Sequence, residues 1–316
     1  MGHFKIATIS VLFSRTMSFV TPIPNTSNNM YKRIKTMIPC CSKDDAMYTH
    51  VGPCPIKKEH LQAARFCGNV YDDGWLHGSE QFIDFEETNV QCAMNVVGKT
   101  LYVSYRGSDS RRDWKQNIKI NMVNYPAKTN QEIHFGFLLN WISVKKDIDY
   151  KIEILLDKYK DEIDTVIFCG HSAGTICLLN AYDMAEKLQD VYSLKVKAIT
   201  IGAPRIGNEE FKAAFDERVP DCTRIVLDKD IVTRFPIGIL QIHDKYRHVG
   251  NPIQLRAGEI LQRDTSKFEA FKWILGGIPK MNMGLVADHE ISGYIQELER
   301  ILEECEKHNK EDQTLL

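Results

Sequence analysis

From about Pro55 onward the apolar positions of this chain follow two periods. "PIKKEHLQAARFCGNVY" carries its apolar residues at helical spacing with Pro55 near the start, whereas "QFIDFEE" and "VQCAMNVV" are short runs with strand character. Gly98-Lys99 predicts a hairpin turn, and "TLYVSYRG" a further strand behind it. A long helical stretch from about Phe137 to Ile163 precedes the buried-strand run "TVIF", after which Ile176, Leu179 and Met184 fall near helical spacing. "KVKAITIG" and "TRIVLD" predict two more strands, separated by a helix in "NEEFKAAFDERV", and a last helix is expected from about Glu290 to Glu304. Strands alternating with helices imply an α/β fold: a mostly parallel central sheet covered by helices on both faces, entered by an antiparallel meander.

Length and charge narrow the picture. The 316 residues suffice for one large α/β domain. It is expected over residues 56–305, between a Pro/Asn/Ser-containing leader, residues 1–55, poorly ordered or wrapped on the surface, and a polar tail, residues 306–316. A formal charge of −2, with basic residues dispersed apart from clusters such as "YKRIK", argues against nucleic acid as a partner. No apolar run is long enough to span a bilayer. The N-terminus imitates a signal peptide only faintly, because Thr8 and Ser10 break the apolar run after Lys5, and Ile6 stands where N-myristoylation needs Ser or Thr. Nine cysteines cannot all pair, and Cys169 and Cys177 lie where buried thiols belong, so a reducing, intracellular location is favoured over a secreted one. Cys40 and Cys41 are read as part of an irregular tail rather than an acylation site. With His50, Cys54 and His60 they also lack the paired spacing of a zinc site.

The chemistry concentrates in "TVIFCGHSAGTICLL", Thr165 to Leu179, where Gly170-His171-Ser172-Ala173-Gly174 joins a strand to a helix. Gly-x-Ser-x-Gly in that setting predicts a nucleophile elbow, a turn so sharp that the serine takes a strained backbone conformation and only glycine fits beside it. A serine nucleophile needs a base and an orienting acid, which in folds built on this elbow follow in the order acid, then His. Asp230 qualifies as acid just beyond the β-rich "TRIVLD", with Asp228 a close rival. His243, His248 and His289 all come later, and His289 stands at the mouth of the final helix on a connection rather than inside an element.

Several ordered motifs then carry a resemblance. "SYRGSDSRRDW", "IHFGF", "CGHSAGT", "IGAPRIGN", "KDIVTRFP", "YRHVG" and "DHEISGY" resemble, in order, the motifs of the class 3 lipases, the fungal triacylglycerol lipase-like branch of the α/β-hydrolases, over roughly Ile56 to Leu302. The resemblance implies an α/β-hydrolase fold with Ser172 as nucleophile, Asp230 rather than Asp228 as acid and His289 as base. It also implies an oxyanion hole from the backbone N–H groups of Ser108 and Ala173. Asp288 and His248 would be structural. Two departures stand out: Ala173 replaces a Leu common in the family, and the segment after Ser108 is unusually charged.

The implied function is hydrolysis of carboxylic esters of lipids, foremost acylglycerols, through an acyl-enzyme, with no metal or cofactor required and transient contact with a lipid surface. The apolar stretches "FPIGILQI" and "FKWILGGIPKMNMGL" between acid and base are candidate acyl-chain walls, although ordinary core packing is the weightier reading. A catalytically silent interaction protein on a hydrolase fold and an esterase for small or aromatic esters are the alternatives. The family's lid falls on "DSRRDWKQNIK", where Trp114 and Ile118 stand among Asp109, Arg111, Arg112, Asp113, Lys115 and Lys119. So narrow an apolar stripe predicts a small rate increase at a lipid interface.

Overall fold

The first described element is a helix, α1, Lys58–Asn69, which packs its Ala63, Ala64, Phe66 and Cys67 into the core. The computed structural model describes residues 54–72, 77–107, 121–236, 245–256, 259–261 and 287–314. The expected leader, apart from Cys54 and Pro55, lies outside the described residues, and so do most of the two apolar stretches.

The start of α1 rests on a histidine. Lys57 N–H donates to His60 Nδ1 (3.1 Å), and His60 N–H donates back to the Lys57 carbonyl (2.9 Å). Burial holds the His60 imidazole down from 6.5 to about 4, because a charge there would lose its hydration, and protonated Nδ1 could no longer accept the Lys57 bond. A histidine whose folded pKa lies below its unfolded value contributes stability above pH ~6.5 and loses it as pH falls toward ~4. The expected loss across that window is about 3 kcal/mol. Urea unfolding of wild type and His60→Gln at pH 7 and pH 4.5 checks it: the variant should lose markedly less stability than wild type, and equal losses would reject the cause.

An eight-stranded sheet forms the centre. Strands β1 (Gln81–Phe85), β2 (Val90–Val97) and β3 (Thr100–Tyr105) make an antiparallel meander. Gly98, with φ 56°, supplies the positive dihedral that the two-residue β2–β3 turn needs. Two three-residue strands, β4 (Met122–Asn124) and β5 (Glu132–His134), pair separately. Then come α2 (Phe135–Lys158), β6 (Thr165–His171), α3 (Cys177–Glu186), β7 (Lys195–Ile201), α4 (Glu209–Arg218), β8 (Cys222–Leu227), β9 (Asn251–Arg256), β10 (Glu259–Leu261) and α5 (Ile291–Thr314). The sheet order is β1-β2-β3-β6-β7-β8-β9-β10, parallel from β3 through β9. The expected meander, parallel centre and main helices are all present. β4, β5, β9 and β10 were not read from the sequence, and α5 runs on into the polar end of the chain.

Alternation across the pleat divides the core. Val103, Val166, Phe168 and Ala198 face one cluster with Trp141, Ile148, Leu179 and Phe211 of α2, α3 and α4, whereas Tyr102, Ile167, Cys169 and Ile199 face another with Ala64, Tyr294 and Leu298 of α1 and α5. Burial on both faces explains why Val166 to Cys169 are apolar in succession instead of alternating. The sequence motifs also shape the frame. His134 caps α2, its Nδ1 accepting from the N–H groups of Gly136 (3.1 Å) and Phe137 (3.3 Å), and Asn208 caps α4 by accepting from Phe211 N–H (2.8 Å). Asn208 also accepts from Glu132 N–H (3.0 Å), tying α4 to β5.

The cysteines divide in a way the sequence reading did not anticipate. Cys54 and Cys305 form a disulfide that joins the lead-in of α1 to α5, while Cys67, Cys92, Cys169, Cys177 and Cys222 are free and buried. The two partners stand 251 positions apart, so only the packing of the first helix against the last brings them together.

Candidate active site

The parallel strands end where the chemistry-bearing motifs begin. β6 ends at His171, and the chain enters a 3₁₀ turn, Ser172–Ile176, that leads directly into α3. Ser172 has φ 57°, a left-handed conformation that costs a side-chain-bearing residue about 1–2 kcal/mol. The flanking glycines are required by contact. A Cβ on Gly170 would lie 2.0 Å from the Gly174 carbonyl oxygen, and one on Gly174 would lie 2.7 Å from the Tyr105 oxygen. The elbow is therefore compressed against the end of β3, and Ser172 is buried at the N-terminal end of helical structure, where free N–H groups and the positive dipole end lie.

Asp230 lies on the loop after β8 and is fully buried. Its Oδ2 accepts from His289 Nδ1 (2.8 Å) and from Tyr294 Oη (2.6 Å), and its Oδ1 accepts from Val232 N–H (2.8 Å). Three donors converge on one buried carboxylate and hold it aimed at His289. His289 sits in a single 3₁₀ turn, Ala287–His289, just ahead of α5. With Nδ1 committed to Asp230, its buried Nε2 has no hydrogen-bond partner among the described residues. Gly202, φ 59°, makes room for this pair: a Cβ there would lie 2.9 Å from Asp230 Oδ2 and 3.1 Å from His289 Cε1.

The rival residues have other partners. Asp228 accepts from Gln254 Nε2 (2.9 Å) and Arg256 Nε (2.8 Å). His248 donates from Nε2 to the Thr233 carbonyl (2.9 Å), and Thr233 Oγ1 donates to the Asp230 carbonyl (2.8 Å), so His248 braces the acid loop. Burial, with Arg224 and Arg205 nearby, holds its imidazole well below the usual range, in the neutral form. Asp288 is exposed beside His289. His243 lies outside the described residues, as do Ser108, Asp109, Arg111, Arg112, Asp113 and Trp114; Ala173 directly follows Ser172 in the elbow.

The structure thus brings Ser172, Asp230 and His289 to one end of the parallel strands. It adds Tyr294, Tyr71 and Gly202, which the sequence reading did not single out. Gly202 stood within "IGAPRIGN" and Tyr294 closes "DHEISGY", although neither motif marked the residue itself, whereas Tyr71, just past α1, lay in no motif. No group of three His, Cys, Asp or Glu among the described residues could hold a metal ion.

The family profile described as Lipase (class 3) matches residues 102–239, the stretch that carries the elbow and the acid loop. Over that stretch the chain is similar to the class 3 lipases. Among the chain's relatives, a lipase of Rhizomucor miehei is 29% identical over 165 residues, which cover 51% of this chain and 45% of that one. A phospholipase A1-IIdelta of Arabidopsis thaliana is 38% identical over 173 residues, covering 53% of this chain and 37% of that one. The chain spans less than half the length of these curated relatives. The solved structure of the Rhizomucor miehei triacylglyceride lipase superposes with a TM-score of 0.52 at 22% identity, over 62% of this chain and 77% of that one. The fold is that of the α/β-hydrolases.

Proposed function

We propose that this protein is a class 3 lipase that hydrolyses carboxylic esters of lipids, acylglycerols foremost, with Ser172 as nucleophile, His289 as general base and Asp230 as its orienting acid. The observation that carries the reading is a strained elbow serine on the same strand ends as a buried His289–Asp230 pair whose Nε2 is unengaged. His289 Nε2 takes the Ser172 proton as Oγ attacks the ester carbonyl, and the imidazolium formed is balanced by Asp230. The backbone N–H groups of Ser108 and Ala173 receive the oxyanion, each worth about 3 kcal/mol in the transition state. Collapse expels the alcohol, which takes the proton from His289, and water activated by the same nitrogen releases the acid.

A glycerophospholipid substrate is the second reading, supported by the 38% identity to the Arabidopsis thaliana phospholipase A1. Two assays test both readings. Covalent labelling of the folded protein by a fluorophosphonate probe is expected at Ser172, and absence of labelling would reject a serine hydrolase. Turnover is then compared across p-nitrophenyl esters of increasing acyl length, emulsified triacylglycerol and phosphatidylcholine vesicles. With only Trp114 and Ile118 as the lid's apolar pair, short-chain esters should be cleaved in solution, with at most a few-fold rise above the solubility limit. A rate near zero in solution that rises many-fold at the interface would reject this reading of the lid.

A further inference from the structure

Gly107, the last described residue of the strand end that leads to Ser108, donates its N–H to Tyr71 Oη (2.9 Å). Tyr71 Oη in turn lies 2.7 Å from His171 Nδ1, and His171 Nε2 lies 2.9 Å from the main-chain carbonyl of His289. The directions of these bonds are forced. A carbonyl only accepts, so His171 carries its proton on Nε2 and donates there. Burial and the neighbouring His289 hold His171 well below the usual histidine range, so it is neutral and its Nδ1 is an acceptor. Tyr71 accepts from Gly107 and therefore spends its single proton on His171. The result is one ordered chain: Gly107 N–H to Tyr71, Tyr71 O–H to His171, His171 Nε2–H to the His289 carbonyl.

Packing leaves this chain little slack. A Cβ on Gly107 would lie 2.6 Å from Ser172 Cβ, 2.6 Å from Tyr71 Oη and 3.0 Å from the His171 carbonyl oxygen, so the strand end is wedged between the elbow and Tyr71. The His171 ring stacks on that of His289, with centroids 4.8 Å apart and planes inclined at 27°. Neither Gly107 nor His289 lies in a strand, so the sheet ladder does not register one against the other.

We infer that Tyr71 and His171 are positioning residues that hold the oxyanion strand end and the base loop in register across the nucleophile. The inference rests on the ester-hydrolase reading above. No proton moves along the chain during turnover. Its role is geometric, since small misplacements of a catalytic group or an oxyanion donor are costly in rate.

The test uses the full chain with Tyr71→Phe, His171→Gln and the double variant. For each, kcat and KM for p-nitrophenyl butyrate are measured per probe-titrated Ser172, so that unfolded protein drops out, along with the affinity for an alkylboronic acid that forms a tetrahedral serine adduct. Each single variant is expected to lose about 10- to 100-fold in kcat with KM within about twofold. Boronate affinity should fall in parallel, which a loss of stability alone would not produce. The double variant should lose little more than the worse single one, because either change breaks the same chain. An active wild type with Tyr71→Phe near wild-type kcat, or losses that multiply in the double variant, would overturn the inference and leave the hydrolase reading standing. A wild type that neither labels nor turns over would remove the hydrolase reading and the inference with it.

Discussion

Ser172→Ala is expected to lower kcat/KM for a soluble ester by about 10⁵-fold, equivalent to roughly 7 kcal/mol of transition-state stabilisation. Nucleophile and base act as a unit, so His289→Ala should cost a similar factor and the double variant hardly more. Stability should respond far less. The substitution removes one oxygen and keeps the Cβ that already sits at φ 57°, so the strain of the elbow is unchanged. The expected change in unfolding free energy is under about 1 kcal/mol. Paired measurements check this: kcat/KM with probe labelling on one side, circular dichroism melting on the other. A Ser172→Ala protein that stays folded and hydrolyses esters at more than a hundredth of the wild-type rate would refute the proposed nucleophile.

Asp230→Asn is expected to lower kcat by about 10⁴-fold, whereas Asp228→Asn should cost no more than a few-fold. The difference follows from what each carboxylate faces. An amide at 230 can turn its NH₂ toward His289 Nδ1, which would then accept and force the proton onto Nε2, the atom needed to take the Ser172 proton. Val232 N–H, which donates to the other oxygen, favours that turn; Tyr294 Oη, which shares Oδ2 with His289, resists it, and neither can restore the charge that balances an imidazolium. Asp228 serves instead a half-buried contact to Gln254 and a pair with the partly exposed Arg256, of the kind worth about 1 kcal/mol or less. The pair of variants, assayed at saturating p-nitrophenyl butyrate, decides the assignment of the acid. Greater damage from Asp228→Asn would reverse it.

Much of the frame was legible because the sheet is buried on both faces. Val166 to Cys169 must be apolar at every position to face two cores, and a run of that kind between helical stretches reads as a central parallel strand without further help. β4 and β5, at three residues each, and β10, likewise three, are too short to display a period, and their pairing was visible only in the folded chain. β9 begins Asn251-Pro252, which a reading by propensity takes for a turn; it is a strand because β8 presents a free edge to it in parallel register.

The same division runs through the candidate site. The elbow is local chemistry: two glycines that must lack Cβ atoms and a serine between them at the end of an apolar strand, all within five residues. The sequence by itself therefore determined where a nucleophile could stand, and the order of the later motifs nominated Asp230 and His289. Contacts decided the rest. Asp230 meets His289 from 59 positions away and Tyr294 from 64, His171 meets Tyr71 from 100, and Cys54 meets Cys305 from 251. Such partners leave no periodic or spacing signal in the chain, because a hydrogen bond or a disulfide between distant residues depends on how whole helices and strand ends are brought together, and that is set by burial summed over the entire core.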